Sequence, residues 1–273
     1  RRPARPSPTR YNSEMRTTPL THACRAILLL CALLPGVAPA DTSLVKRLDP
    51  TDFRTRLEVR DKIQEPQFGG LRNVLLPKID YAFSKTFALR VEIPLATWDP
   101  YSPRFDAQTG MGNVSIRAAF RMLRTEHMAL VSGVEGILDT ATDAILGYGR
   151  NVVAPFAFLS IQAPSLHTTF FPNLQYFQSV DDGDKLHPEV RYTQAKFFAL
   201  TQWPARFYTG AEALFIVDHV RNNRVGATFE LETGRFINKH VALWVRPGVG
   251  VGGDDIVQIY NWNLEVGLRY LFD

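Results

Sequence analysis

Thiol chemistry is missing from nearly all of this chain. Its two cysteines, Cys24 and Cys31, both fall within the first forty residues. If that stretch is removed on maturation, no disulfide and no thiolate metal site remains. This suits an exported protein that must avoid mispairing in an oxidising compartment. A membrane-spanning apolar run is missing as well. Ala26 to Leu34 is apolar but too short to cross a bilayer as a helix, and nothing later qualifies. No segment shows a convincing helical period of 3.6. The histidines His127, His167, His187, His219 and His240 are scattered, and none has the i, i+4 spacing of a metal ligand pair. An excess of positive charge is also missing once the first forty residues are set aside. They hold six Arg and one Glu, which leaves 25 basic and 26 acidic residues. The basic pI of the whole chain is therefore no argument for nucleic acid.

Those forty residues carry a pattern of their own. Residues 1–14 are Arg/Pro-rich and precede Met15, so they read as an over-long translated start. Residues 15–40 read as a secretory signal peptide. Arg16 and Arg25 form its charged region, Ala26 to Leu34 its apolar region, and Ala38-Pro39-Ala40 its cleavage site. Residues 41–273 are then one mature all-β domain.

What the mature chain has in abundance is alternation. Twelve strands are expected: Phe53–Ile63, Val74–Phe83, Phe87–Leu95, Val114–Met122, Met128–Leu138, Val152–Gln162, Thr168–Ser179, Glu189–Ala199, Phe207–Val217, Val225–Thr233, Val241–Val251, and a last one ending at Asp273. In that last strand Tyr260, Trp262, Leu264, Val266, Leu268, Tyr270 and Phe272 share the apolar parity. Trp98–Gly110 reads as a long loop. The strands are long enough for a bilayer, which needs about 9–11 residues per strand. The even-numbered connections are short. The odd-numbered ones are generally longer and richer in Asp, Gly, Asn and Pro. Sorting by parity is the mark of a membrane barrel with short periplasmic turns and longer extracellular loops; a soluble sandwich has no reason for it.

With the apolar parity facing lipid, the charges face a lumen. Arg54, Arg56, Arg60, Arg90, Arg117 and Arg121 come from strands one, three and four. Glu212, Glu230, Glu232 and Glu265 come from strands nine, ten and twelve. Two arrangements follow. A basic wall facing an acidic one would set a transverse field across a pore. Alternatively, Arg–carboxylate pairs would fill a nearly closed barrel. Glu58, Glu92, Arg246 and Arg269 interleave the signs and favour pairing. Glu135 adds a carboxylate on strand five.

Catalytic signals are weak. Gly248, Gly250 and Gly253 spell G-x-G-x-x-G, but a strand follows where nucleotide binding needs a helix. Ser165 and His167 are the one close Ser–His pair, and they share a tight turn with no orienting carboxylate. No catalytic residue, metal or cofactor is expected. A membrane-embedded lipid hydrolase is the least favoured alternative.

Gly110-Met111-Gly112-Asn113-Val114-Ser115-Ile116-Arg117 resembles the strand-opening G-x-G-D-x-x-L-x of the outer-membrane family named for the meta-pathway of phenol degradation. Asp139-Thr-Ala-Thr-Asp143, followed by Gly147 and Gly149, is similar to that family's loop after its fifth strand. Asn113 stands where the family has Asp, Asp139 where Pro is common, and Asp273 follows the terminal aromatic. The resemblance implies a bacterial outer-membrane barrel that helps small hydrophobic or aromatic compounds across, with no catalytic residues to carry over. The expected partners are the outer-membrane bilayer, the barrel-assembly machinery and a small-molecule solute, with no nucleic acid. A plugged structural or adhesive barrel is the alternative from another class.

The terminal aromatics Tyr270 and Phe272 resemble the assembly signal of outer-membrane barrels. Phe272→Ala is expected to lower the amount of heat-modifiable folded barrel, and deletion of Asp273 to leave it unchanged. Equal yields from Phe272→Ala and the parent chain would count against the signal.

Overall fold

The computed structural model describes residues 47–102, 105–183, 187–253, 256 and 258–272. The expected over-long start, the expected signal peptide and Asp273 lie outside the described residues. Fourteen strand segments follow in order: β1 (Arg56–Pro66), β2 (Leu71–Ala82), β3 (Phe87–Glu92), β4 (Leu95–Asp99), β5 (Gln108–Met111), β6 (Ser115–Arg124), β7 (Met128–Ile137), β8 (Val152–Ala163), β9 (Thr168–Ser179), β10 (Arg191–Gln202), β11 (Phe207–Asp218), β12 (Arg224–Phe236), β13 (Val241–Gly252) and β14 (Tyr260–Leu271). Each pairs antiparallel with its neighbours. β1 bonds to β14 on one side and β2 on the other, so the sheet closes on itself. Closure leaves no unpaired edge, which is what allows a sheet to sit in lipid.

Two of the barrel strands are broken. β3 and β4 both pair with β2; across from them β6 pairs with β3 and β5 with β4. Counting each broken pair as one strand gives a twelve-stranded barrel. The first break falls at Ile93-Pro94, where proline offers no N–H to the ladder. The second falls at Gly112–Val114. There the loop 138–151 takes over the missing partners. Val114 N–H donates to Thr140 Oγ1 at 2.9 Å, Thr140 Oγ1 donates to the Gly112 carbonyl at 3.2 Å, and Met111 N–H donates to Thr142 Oγ1 at 3.1 Å. The loop lies so close that a Cβ on Gly110 would stand 1.9 Å from Thr142 Oγ1.

The period of two sets the faces. On β1 the exposed Leu57 and Val59 alternate with the buried Arg56 and Glu58. On β12, Phe229 and Leu231 are exposed while Glu230 and Glu232 are buried. This inverts the soluble rule: apolar side chains point out and charges point in. The connections sort as expected. Residues 83–86, 125–127, 164–167, 203–206 and 237–240 make tight turns at one end. Residues 100–107, 138–151 and 180–190 make the longest connections at the other.

Three expectations need correction. The first strand begins at Arg56, so Phe53, Arg54 and Thr55 precede it. The expected loop Trp98–Gly110 is shorter than read: its ends belong to β4 and β5, leaving 100–107 as the connection. Tyr260 does not face lipid. The β1–β14 register shifts at Glu65/Pro66, and the slip turns the Tyr260 hydroxyl inward to donate to Glu230 Oε1 at 2.5 Å. One residue of slip changes a side chain's face.

The inner wall solves a packing problem with glycine. Tyr208 lies directly across from Gly234, Trp244 from Gly267 and Phe156 from Gly133 on neighbouring strands. A Cβ on Gly234 would stand 2.2 Å from Tyr208 Cζ, and one on Gly267 would stand 2.4 Å from Trp244 Cζ2. Each ring covers a strand position without a side chain, which both fills space and protects the ladder. Gly234→Val is expected to cost about 1–3 kcal/mol through overpacking. It would lower the temperature of the heat-modifiability transition, and Tyr208→Ala in the same chain should recover part of the loss. No shift in Gly234→Val would sink the packing account.

Candidate functional site: the barrel lumen

Moving up the lumen, three zones succeed one another along the strands. On β11 they are read off as Tyr208, Glu212 and Ile216. The turn-side zone is an apolar cluster of Leu48, Phe171, Leu200, Tyr208, Phe236, Ala242, Trp244 and Leu271. The loop-side zone is a second cluster, with Ile137, Val152, Phe177, Val190, Tyr192, Ile216, Ile256 and Ile259. Ile256, Ile259 and Val190 belong to connections rather than strands, so the loops fold over this end. Phe177 and Tyr192 stack there with centroids 4.3 Å apart. Charged side chains fill the zone between.

Residues 47–55 form a strap across the turn-side mouth. Leu48 enters the apolar cluster. Arg47 donates to the carbonyls of Lys239 and Phe272, at 2.6 and 3.2 Å. Ser160 Oγ on β8 donates to Asp49 Oδ2 at 3.1 Å. Arg121 on β6 donates to the Thr51 carbonyl at 3.0 Å, and Arg124 reaches Asp52 Oδ1 at 3.3 Å. The strap thus touches strands from several parts of the circumference. Arg54 pairs with Asp52 inside the strap at 2.7 Å. Burial pushes the Asp52 carboxyl up, but the hydrogen bonds and charges of Arg54 and Arg124 outweigh it and hold the group below the usual carboxylate range. Their hold is complete above that range and fades only as pH falls through the lowered value.

In the middle zone the charges pair. Arg56 lies 3.3 Å from Asp80, and Arg90 donates to the same carboxylate at 2.6 Å. Arg60 reaches Glu265 at 3.4 Å and Glu92 at 3.8 Å. Glu92 also lies 3.8 Å from Arg90. Arg117 holds Glu135 at 2.5 Å, and Gln175 donates to the same oxygen at 2.8 Å. Arg269 and Lys78 both hold Glu58, which is 1% exposed. Arg246 gathers three carboxylates: Glu232, Glu230 at 3.4 Å and Glu212 at 3.7 Å. Lys196 takes Glu212 as well, at 3.2 Å. At the end of β14, Tyr270 stacks on His240 and meets Phe272 edge-on, while Phe272 N–H donates to the Thr55 carbonyl at 3.1 Å.

Sequence reasoning missed five members of this lattice, Lys62 beside Glu230 among them. Lys78 and Asp80 were legible, since they fall on the parity opposite Ile79 and Tyr81. Lys196 sits in the strand whose alternation is least regular. Gln175 carries no charge and gave no signal. Among the described residues no group of three metal-ligating side chains comes together. Gly250 admits the Tyr260 carbonyl to within 1.9 Å of where a Cβ would stand, and Gly253 has φ +105° against Gly226. The G-x-G-x-x-G spacing therefore serves close backbone approach.

Arg246 is the member with most to lose. Its removal leaves buried carboxylates short of a partner, a defect that costs about 3–5 kcal/mol. Arg246→Met is expected to lower the unfolding free energy read from urea titration of the barrel in vesicles by such an amount, with a matching fall in the midpoint. Lys196→Gln should lower it far less, because Glu212 keeps Arg246. Equal midpoints for the two variants would overturn the ranking.

No protein-family profile matches the chain, and no curated protein sequence matches it. Solved structures do. A COG4313 outer membrane channel from Pseudomonas putida F1 superposes with TM-score 0.67 at 13% identity, over 82% of this chain and 99% of that one. The NanC porin gives 0.58 at 9% identity over 78% and 98%. The KdgM porin, solved with disordered oligogalacturonate, gives 0.55 at 10% identity over 80% and 99%. At such identities the likeness is one of fold, that of outer-membrane porin and channel barrels.

Proposed function

We propose that this protein is an outer-membrane channel for passive uptake of small molecules. The supporting observation is the inverted burial: a closed barrel, apolar outside, encloses charged side chains around an internal cavity of about 240 Å³. A barrel kept only for its surface has no use for a charged interior, which costs stability relative to an apolar core. The solute class favoured by the resemblance is hydrophobic or aromatic. The charged lumen residues then act as pore charges, from Arg56, Arg60 and Arg90 across to Glu230, Glu232 and Glu265. Tyr270 and Phe272 act as the signal read by the barrel-assembly machinery, and residues 15–40 as the export signal.

A second reading has its own observation. The strap and the two apolar clusters narrow the lumen at both ends, as in a plugged structural or adhesive barrel. Single-channel recording separates the two. The channel reading expects small conductance steps from the purified protein in a planar bilayer. It also expects a severalfold larger conductance when residues 47–52 are deleted, because the turn-side mouth is then uncovered. Silence from both proteins, with both heat-modifiable and folded, would sink the channel and leave the plugged barrel.

A further inference from the structure

The cavity of about 240 Å³ lies against Leu48, Pro50 and Phe53 of the strap, and its wall has two chemistries. Phe156, Phe158, Phe171 and Phe198, from β8, β9 and β10, give it an aromatic side. Arg56, Lys78 and Arg90, from β1, β2 and β3, give it a cationic side. In the strand order β1 and β2 stand about half-way round the barrel from β9 and β10, so the two sides face each other. Arg117 lies over the Phe156 ring at 4.7 Å and Arg246 lies 5.8 Å from the Phe198 ring, so cations also edge the aromatic side.

The charges of this lining do not balance. Eight of its residues are basic and four are acidic. All four carboxylates are already engaged: Glu58 by Arg269 and Lys78, Asp80 by Arg56 and Arg90, Glu212 by Lys196 and Arg246, and Glu232 by Arg246. Four further carboxylates answer lining cations from outside the lining: Asp52 for Arg54, Glu135 for Arg117, Glu92 for Arg90 and Glu230 for Arg246. Two lining atoms also have no hydrogen-bond partner although both are buried: Nε of Arg56 and Oδ1 of Asn173. Arg56 is 7% exposed, and Asp80 lies 3.3 Å from that Nε without forming the bond.

We propose that this cavity is a binding site for small aromatic carboxylates. The ring lies among the phenylalanines and the carboxylate meets the guanidinium and ammonium groups opposite. A cavity of about 150 Å³ holds benzene, so the volume admits one ring with a short acidic substituent. Ring contacts and charge-assisted hydrogen bonds supply the two halves of recognition. A neutral ring makes no use of the cationic surface, a cation is repelled by it, and an aliphatic acid makes no use of the phenyl side. As a substrate class this rests on the channel reading above, but occupancy of the cavity does not require conduction.

Isothermal titration of the purified full chain in detergent tests it with four probes: benzoate, benzyl alcohol, benzylamine and acetate. Benzoate is expected to bind at least tenfold more tightly than each of the others. Lys78→Gln should weaken benzoate severalfold, and Phe156→Leu should narrow its margin over acetate. The four-probe series on the unaltered chain decides the matter even if a variant fails to fold. Benzylamine or acetate binding as tightly as benzoate would overturn the assignment, as would no binding of benzoate. A barrel that conducts yet shows no benzoate preference defeats this inference alone. One that binds benzoate but never conducts defeats only the channel.

Discussion

Everything in this barrel depends on the pairing of β1 with β14. Until that seam closes, two rows of backbone donors and acceptors stand unpaired, and in lipid each costs several kcal/mol. Once it closes, the outside has no polar backbone left to satisfy, and apolar side chains are enough to dissolve it in a membrane. Closure also fixes where polarity goes. Side chains that alternate with the lipid-facing ones are trapped in a space too narrow for free hydration, so they find each other. The seam shows this directly: Arg269 on β14 meets Glu58 on β1, and Glu265 on β14 meets Arg60.

The period of two was enough to read the barrel from sequence, because both faces of a membrane strand are chemically pure over ten or more residues. Most expected strand bounds lie within three residues of the observed ones. The failures have physical causes. Pro94 and Gly112 break strands locally, and the pairing that resumes beyond them depends on Thr140 and Thr142 thirty residues away. Tyr260 keeps the right parity in sequence but loses it to a one-residue slip in its own strand, where Asn261 is left out of the β1 register. Residues 47–52 carry no alternation and gave no sign that they would cross the mouth, while Phe53 to Thr55 continue the alternation of the first strand and read as part of it. Individual lumen charges were legible wherever they sat opposite clean apolar neighbours. Their partners were not, since pairing depends on register between strands far apart in the chain. Asn113 illustrates the difference. Its Nδ2 donates to the Leu138 carbonyl and its Oδ1 accepts from Tyr148 N–H, both at 2.6 Å. A carboxylate supplies only the acceptor, so the departure from Asp at this position has a structural use.

The zoned lumen gives passage and closure to different groups. The ion lattice is cross-linked because Glu58, Asp80, Glu212 and Arg246 are each shared between partners, and it sets the cross-section. The strap and the loop-side connections carry the apolar residues that close the ends. They are held by a few hydrogen bonds to turns and strand ends rather than by a continuous ladder. Elements of that kind open at lower free energy than the wall they sit against.

Glu212 and Glu230 stand directly opposite each other on β11 and β12, with Glu232 two residues further along the same face. Like charges in that position repel. A β11–β12 hairpin is consequently not a self-sufficient piece of structure. Its neutralising groups come from the strands on either side, Lys196 on β10 and Arg246 on β13, with Lys62 of β1 3.9 Å from Glu230. The order of folding is constrained accordingly. These carboxylates enter the membrane as part of a sheet of at least four strands, and a chain added one hairpin at a time would stall at this one.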